Sequence, residues 1–198
     1  PFILYEPGGY MDVTNANYRL EKNGKVRVDG ANWLVSGTYN VKLEGAKITG
    51  YQTSLLVLLR DQNYVENVKT WVSNLSNFLE KQIKEKMELD NSLYSLEFRL
   101  IGVNGALGEL ETKVREPTEV GVLCIITSKK TSISNEIAKL INPFLLHYPL
   151  TDNEELPTFA FPYSPVHSDR GCVYEFVLNH TLELNHPMEA FRIKTSEV

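Results

Sequence analysis

"NYVENVKTWVSNLSNFLEKQIKEKMELD", residues 63 to 90, is the stretch on which the fold turns. Val65, Val68, Val72, Leu75, Leu79 and Ile83 recur at three- and four-residue steps. Steps of that size return to one side of an α-helix, so the segment is predicted as an amphipathic helix with a single apolar face. Asn63 followed by Glu66 resembles a capping box and puts the helix start there. A helix of this kind needs a surface to bury its stripe against.

The flanking sequence supplies strands. "LLVLL" (55 to 59) precedes the helix and "YSLEFRLIGV" (94 to 103) follows it, with Leu96, Phe98 and Leu100 alternating against Glu97 and Arg99. "EVGVLCIITS" (119 to 128) is apolar on both sides, as a central strand is. "SISNEIAKLINPFLL" (132 to 146) places Ile133, Ile137, Leu140, Ile141 and Phe144 on a second helical stripe, which Pro143 is expected to end or kink. "YEFVLNHTLEL" (174 to 184) alternates again, with Tyr174, Phe176, Leu178, His180, Leu182 and Leu184 on one face.

The order from about residue 51 is thus β-α-β-β-α-β, the ferredoxin-like sandwich, in which the first and third strands lie in the middle of the sheet. "LLVLL" and "VGVLCII" are the two runs apolar on both sides, which suits those places. Two helices cover one sheet face only, so the open face is expected to be covered by the N-terminal hairpin region or by a second subunit.

Ahead of this core, "YRLEKNGKVRV" (18 to 28) alternates on both sides of Asn23-Gly24 and reads as a β-hairpin with a type I′ turn, closed by Asp29-Gly30. Residues 38 to 60 read as extended and interrupted at Gly45 and Gly50. The expected class is therefore α+β. Residues 1–50 form an extended, hairpin-containing region, 51–150 the first five elements of the ferredoxin-like core, and 151–198 a connector loop, last strand and extension.

With 198 residues, 42% hydrophobic and 23% charged, the chain can bury a real core. The formal net charge of -5, with no basic run, disfavours nucleic acid or an anionic membrane as partner. No apolar run reaches the roughly 20 residues that span a bilayer. "PFILYEPGGY" has neither Met nor a signal-peptide layout and reads as a cut from a longer chain. Cys124 and Cys172 make no disulfide framework, which points to a reducing compartment and a cytoplasmic protein. The glycosylation patterns at Asn74 and Asn179 fall in predicted regular elements and are discounted.

Several stretches carry candidate chemistry. In the loop from Pro162 to Gly171, His167 suits an acid or base near neutral pH. Asp169 would orient it, and Arg170, with Ser168 beside it, would hold a carboxylate or phosphate. The same residues also suit a proline-stiffened connector whose Asp169, Arg170 and Gly171 make a turn. A metal site from His167, Asp169 and Cys172 fits no established zinc spacing, and no cofactor is implied. Glu175 and Asn179 point by parity to the polar face of the last strand, where a ligand could meet them. His180 falls on the apolar face and reads as a core residue. His186-Pro187 reads as a turn, with Pro187 starting a short last helix. "EPGGY" (6 to 10) and "GVNGALG" (102 to 108) lack the lysine and the strand-to-helix context of a phosphate loop and read as turns.

The run "LYEPGGYMDVTNANYRLEKNGKVRVDGA" (4 to 31), with "LIGV" at 100 to 103 and Gly105 and Gly108 beyond it, resembles the C-terminal half of the acyclic terpene utilisation (AtuA-like) proteins. The resemblance covers roughly residues 2 to 145. The tail "HSDRGCVYEFVLNHTLELNHPMEAFRI" (167 to 193) resembles the start of a small domain of unknown function fused to, or encoded beside, that family. His167 stands where the family has Arg, and Asn179 or His180 where it has Asp. The resemblance implies a role in breaking down acyclic terpenes or branched acids through acyl-CoA intermediates. It also implies a partner in the N-terminal domain of the same full-length protein and an acyl-CoA or carboxylic acid ligand. The open sheet face points separately to a homo-oligomer, and the alternative reading is a purely structural oligomerisation module with that face as its interface.

Overall fold

The computed structural model describes residues 2–22, 24–112, 116–153, 156–157 and 159–196. In chain order the strands and helices are β1 (Ile3–Glu6), β2 (Gly9–Asp12), β3 (Asn17–Leu20), β4 (Val26–Asp29), β5 (Asn32–Val35), β6 (Tyr39–Leu59), α1 (Gln62–Glu66) and α2 (Val68–Met87). There follow β7 (Tyr94–Ile101), β8 (Val120–Ser128), α3 (Thr131–His147), β9 (Phe159–Ala160) and β10 (His167–Leu184). The chain is α+β. It divides into two compact units, Pro1–Lys47 with Glu175–Val198, and Ile48–Tyr174. The division falls within β6 and within β10.

The unit Ile48–Tyr174 carries the hydrophobic core. Its sheet runs β10-β6-β8-β7, with β9 paired to the end of β6. β6 and β8 hold the middle, the places that two-sided apolarity suits. β8 is antiparallel to both neighbours, with Leu55 opposite Cys124 and Cys124 opposite Phe98. Leu55, Val57 and Leu59 of β6 and Val120, Val122, Cys124 and Ile126 of β8 are wholly buried on the face that meets the helices. From α2 come Trp71, Leu75, Leu79 and Ile83, and from α3 Ile137, Ala138, Ile141 and Leu145, all equally buried. Each large side chain in this set contributes about 1.5–3 kcal/mol by leaving water.

The helical stretch differs in detail from its reading in the sequence. Its N-cap is Asp61, whose carboxylate accepts the N–H groups of Asn63 and Tyr64 at 3.0 and 3.3 Å, not Asn63. Asn67 breaks the run into α1 and α2, with its Nδ2 donating back to the Asn63 carbonyl at 2.9 Å. The break turns the stripe so that Trp71 is wholly buried and Val72 only partly. Pro143 does not end α3, which continues to His147. Leu145 and Ala138 are buried there, while Ile133, Leu140 and Phe144 sit at the margin of the core. Phe144 packs edge-on against Phe78 at 4.9 Å.

One buried polar contact ties β6 to the start of α3. Thr53 Oγ1 lies 3.0 Å from Ser134 Oγ and 2.9 Å from Asn135 Oδ1, and Ser134 donates to the Thr131 carbonyl at 3.0 Å. Buried hydroxyls need such partners, so this triplet holds the helix start in register with the sheet.

The other unit contains two small sheets, β1-β2-β5 and the hairpin β3-β4, together with residues 39–47 of β6 and 175–184 of β10. β1 and β2 turn at Pro7-Gly8, where Pro7 presets its own φ and Gly8 takes φ +83°. The predicted hairpin is present, with Tyr18 opposite Val28 and Leu20 opposite Val26. Asn23, half of the expected type I′ turn, lies outside the described residues. Gly24 takes φ +77°, and its N–H reaches the Glu21 carbonyl at 3.0 Å. The strands stop at Leu20 and Val26, so the connection is longer than a two-residue turn. β6 runs unbroken through Gly45 and Gly50, contrary to the interruptions expected there. Pro187 starts no helix; residues 186–191 make successive turns.

Two surface carboxylates are held below their ordinary range. Asp90 is lowered by the backbone N–H of Ser92, and Asp12 by hydrogen bonds from Thr14. Carboxyl titration followed by NMR is expected to place both midpoints under the reference 3.8. A depressed folded-state value stabilises above the unfolded value and is lost as pH falls through the folded one, so both contributions vanish on acidification below that point. Midpoints at or above 3.8 would remove these contacts from solution.

Candidate functional site

The stretch that looked most like a site is less loop-like than its composition suggests. The loop ends at Val166, and His167, Ser168, Asp169 and Arg170 open strand β10. His167 and Ser168 are half-buried, while Asp169 and Arg170 are exposed. Asp169 Oδ1 accepts the Gly171 N–H at 2.8 Å, and Gly171 takes φ +76°. The Asp169 carboxylate is therefore engaged in a local turn rather than aimed at His167. No ion pair to Arg170 is formed among the described residues.

The remaining candidates lie farther along the strand. Glu175 faces Lys47 at 3.9 Å, with both side chains about 62% exposed, a contact of little energetic weight. Asn179 lines a shallow hollow of about 270 Å³ with residues 3–6 of β1 and with His180 and Thr181. Thr181 Oγ1 donates to the Tyr5 carbonyl there at 3.2 Å. His180, expected in the core, is exposed. The stripe that it shares with Tyr174, Phe176, Leu178 and Leu182 is bare as well, and only Leu184 is buried. Parity along a strand says which residues share a face, not whether anything covers that face.

The larger cavity involves none of these residues. A cleft of about 830 Å³ opens beside the junction of α1 and α2. Val65, Val68, Val103 and Pro117 give it apolar walls, Arg60 and Lys69 bring two cations, and Glu66 and Glu116 bring two carboxylates. Arg60 reaches Glu119 only at 3.8 Å, and Lys69 has no ion pair among the described residues. Gln62 Nε2 donates to the Glu66 carboxylate at 2.8 Å, and both side chains line the cleft. In a cleft of mixed lining, Arg60 and Lys69 are the two groups able to meet the carboxylate of a small organic acid, with Glu66 and Glu116 as competing anions. Arg60 and Lys69 were not singled out in the sequence, where they are two ordinary surface charges; no spacing marks them.

The buried thiol offers little reactivity. Both cysteines are free, and burial pushes the Cys124 thiol far above its ordinary range, so it stays protonated and inert. Among the described residues no group of three or more His, Cys, Asp or Glu is gathered closely enough to hold a metal ion. The "GVNGALG" stretch is a turn: the Leu100 carbonyl accepts the N–H groups of Val103, Asn104 and Gly105 at 3.1, 3.0 and 2.8 Å. No described helix is long and apolar enough to cross a membrane.

Comparison with known proteins adds no relative: no family model, no curated protein and no solved structure matches the chain.

Proposed function

We propose that this chain is an assembly domain of an AtuA-like protein that breaks down acyclic terpenes or branched acids. It would join the N-terminal domain of that protein and a further copy of itself. In this reading the unit Ile48–Tyr174 is a ferredoxin-like sandwich, a topology supported by the strand order β10-β6-β8-β7 and the helices between its strands.

One observation carries the assembly reading: among the described residues the apolar side chains of the strands outside that unit are largely exposed. On the β3-β4 hairpin Tyr18, Leu20, Val26 and Val28 share one face and are 65%, 78%, 59% and 48% exposed. A two-stranded ribbon is marginal in water by itself, and a bare apolar face makes it more so. Such a face gains stability once a partner surface covers it.

A second reading is favoured by the cleft beside α2. It gives the chain a share in binding the carboxylic acid or acyl-CoA ligand, with Arg60 and Lys69 in place of His167 to Arg170 as the anion contacts.

Native mass spectrometry of the purified chain separates the two. Assembly predicts a dimer or larger species with no added mass. Ligand binding predicts added mass, which Lys69→Glu removes. A bare monomer at tens of micromolar would overturn the assembly reading.

A further inference from the structure

We propose that the sheet face of the unit Ile48–Tyr174 turned away from its helices is the docking surface for a second copy of this chain. The inference rests on the assembly reading and names the surface. In that sheet alternate residues of β6 and β8 face the helices and are wholly buried, while Leu56, Leu58, Leu123 and Ile125 face the other way. These four are only half-buried. Leu56 lies opposite Leu123, and Leu58 opposite Gly121, which lies opposite Ile101 at 50% exposure. Ile101 and Leu56 close over Gly121, where a Cβ would lie 3.2 Å from Ile101 Cβ and 3.6 Å from Leu56 Cδ1.

Three features select the face, and a copy of the same chain, over other arrangements. First, the C-terminal end of β7 is poorly disposed to strand addition. The Leu100 carbonyl is taken by three N–H groups of its own turn and cannot accept from an incoming strand. Second, the area suffices. Four strands spaced ~4.8 Å apart and about eight residues long present on the order of 500 Å² per copy, so a pair buries about 1,000 Å², the lower end for a specific interface. Third, the charged rim matches itself. Glu97 and Arg99 stand two residues apart on β7, joined at 2.7 Å and each about half exposed. One anion and one cation on the same rim pair with their own copies across a two-fold axis, Glu97 of one chain to Arg99 of the other. A partner of one dominant charge would find no such match.

The test uses complementary charge variants of the whole chain, followed by sedimentation. Glu97→Arg leaves two cations on the rim and Arg99→Glu leaves two anions, so neither retains an internal pair. Each alone is expected to raise the dimer Kd at least tenfold, because four like charges then meet at one rim. Mixed in equal amounts, the two are expected to form a heterodimer close to the unmodified dimer in affinity. No role confined to a single chain can be rescued by mixing. Leu123→Asp is expected to give a folded monomer by circular dichroism. Ile101→Asp does the same duty if Leu123→Asp fails to fold. Weakening that mixing does not relieve overturns the two-fold match. Variants that all assemble as the unmodified chain does overturn this surface but leave the assembly reading standing. A chain that is monomeric before any substitution overturns both.

Discussion

Replacing Trp71 with alanine is expected to destabilise the unit Ile48–Tyr174 by about 3–5 kcal/mol, the range for removing a buried aromatic side chain from a packed core. Trp71 is wholly buried near the start of α2. Its ring meets Tyr64 edge-on at 6.1 Å, and its Nε1–H donates to the Tyr148 carbonyl at 2.9 Å. Tyr64 in turn accepts the Leu150 N–H at 3.0 Å. One indole thus holds the end of α2 beside Asn67 against the chain that leaves α3. Its loss leaves a cavity and strips a half-buried carbonyl of its donor, two penalties that add. Phenylalanine keeps most of the volume and loses only the N–H, so Trp71→Phe is expected to cost less than half as much. Urea unfolding followed by circular dichroism measures both. Equal costs would mean that packing at Trp71 matters little beside its hydrogen bond.

Gly9→Ala is expected to damage the other unit by about 3 kcal/mol, the upper part of the range for overpacking. Gly9 begins β2 opposite Val35. A Cβ there would lie 2.4 Å from the Leu34 carbonyl oxygen and 2.7 Å from the Trp33 ring. A backbone oxygen in a paired strand cannot step aside, so β2 and β5 must separate. With few buried contacts to compensate, the expected result is loss of amide protection in β1, β2 and β5 while β6 residues 48–59, β7 and β8 keep theirs. Hydrogen exchange resolves the two sets. Unchanged protection in β2 and β5 would mean that this small sheet relaxes more readily than its geometry allows.

The elements that could be read from residues alone were the ones written in local periodicity. The steps from Val65 to Ile83 and the alternation of Leu96, Phe98 and Leu100 depend only on neighbours a few positions away. The details that escaped are those for which the core direction matters. Trp71 lies between Val68 and Val72, and which of the three points inward depends on the break at Asn67. Pro143 was expected to stop or bend a helix that continues for a further turn. His180 shares its face with five apolar residues, of which Leu184 alone is buried among the described residues.

The candidate site was legible only as composition. Histidine, aspartate and arginine close together at His167 to Arg170 are the right residue types for acid-base or anion chemistry. Consecutive strand residues alternate sides, however, and Asp169 turns its carboxylate to Gly171. Arg60 and Lys69 meet at one cleft only because α1 breaks from α2 between them.

Residue spacing alone placed the two long helical stripes, the hairpin around Gly24, the strand before each helix, and the two strands that are apolar on both sides. Those properties follow from side-chain spacing along a single segment. Which apolar faces are buried and which charges share a cleft came only with the folded chain. Burial and convergence depend on segments far apart in the chain, and no local pattern encodes what packs against it.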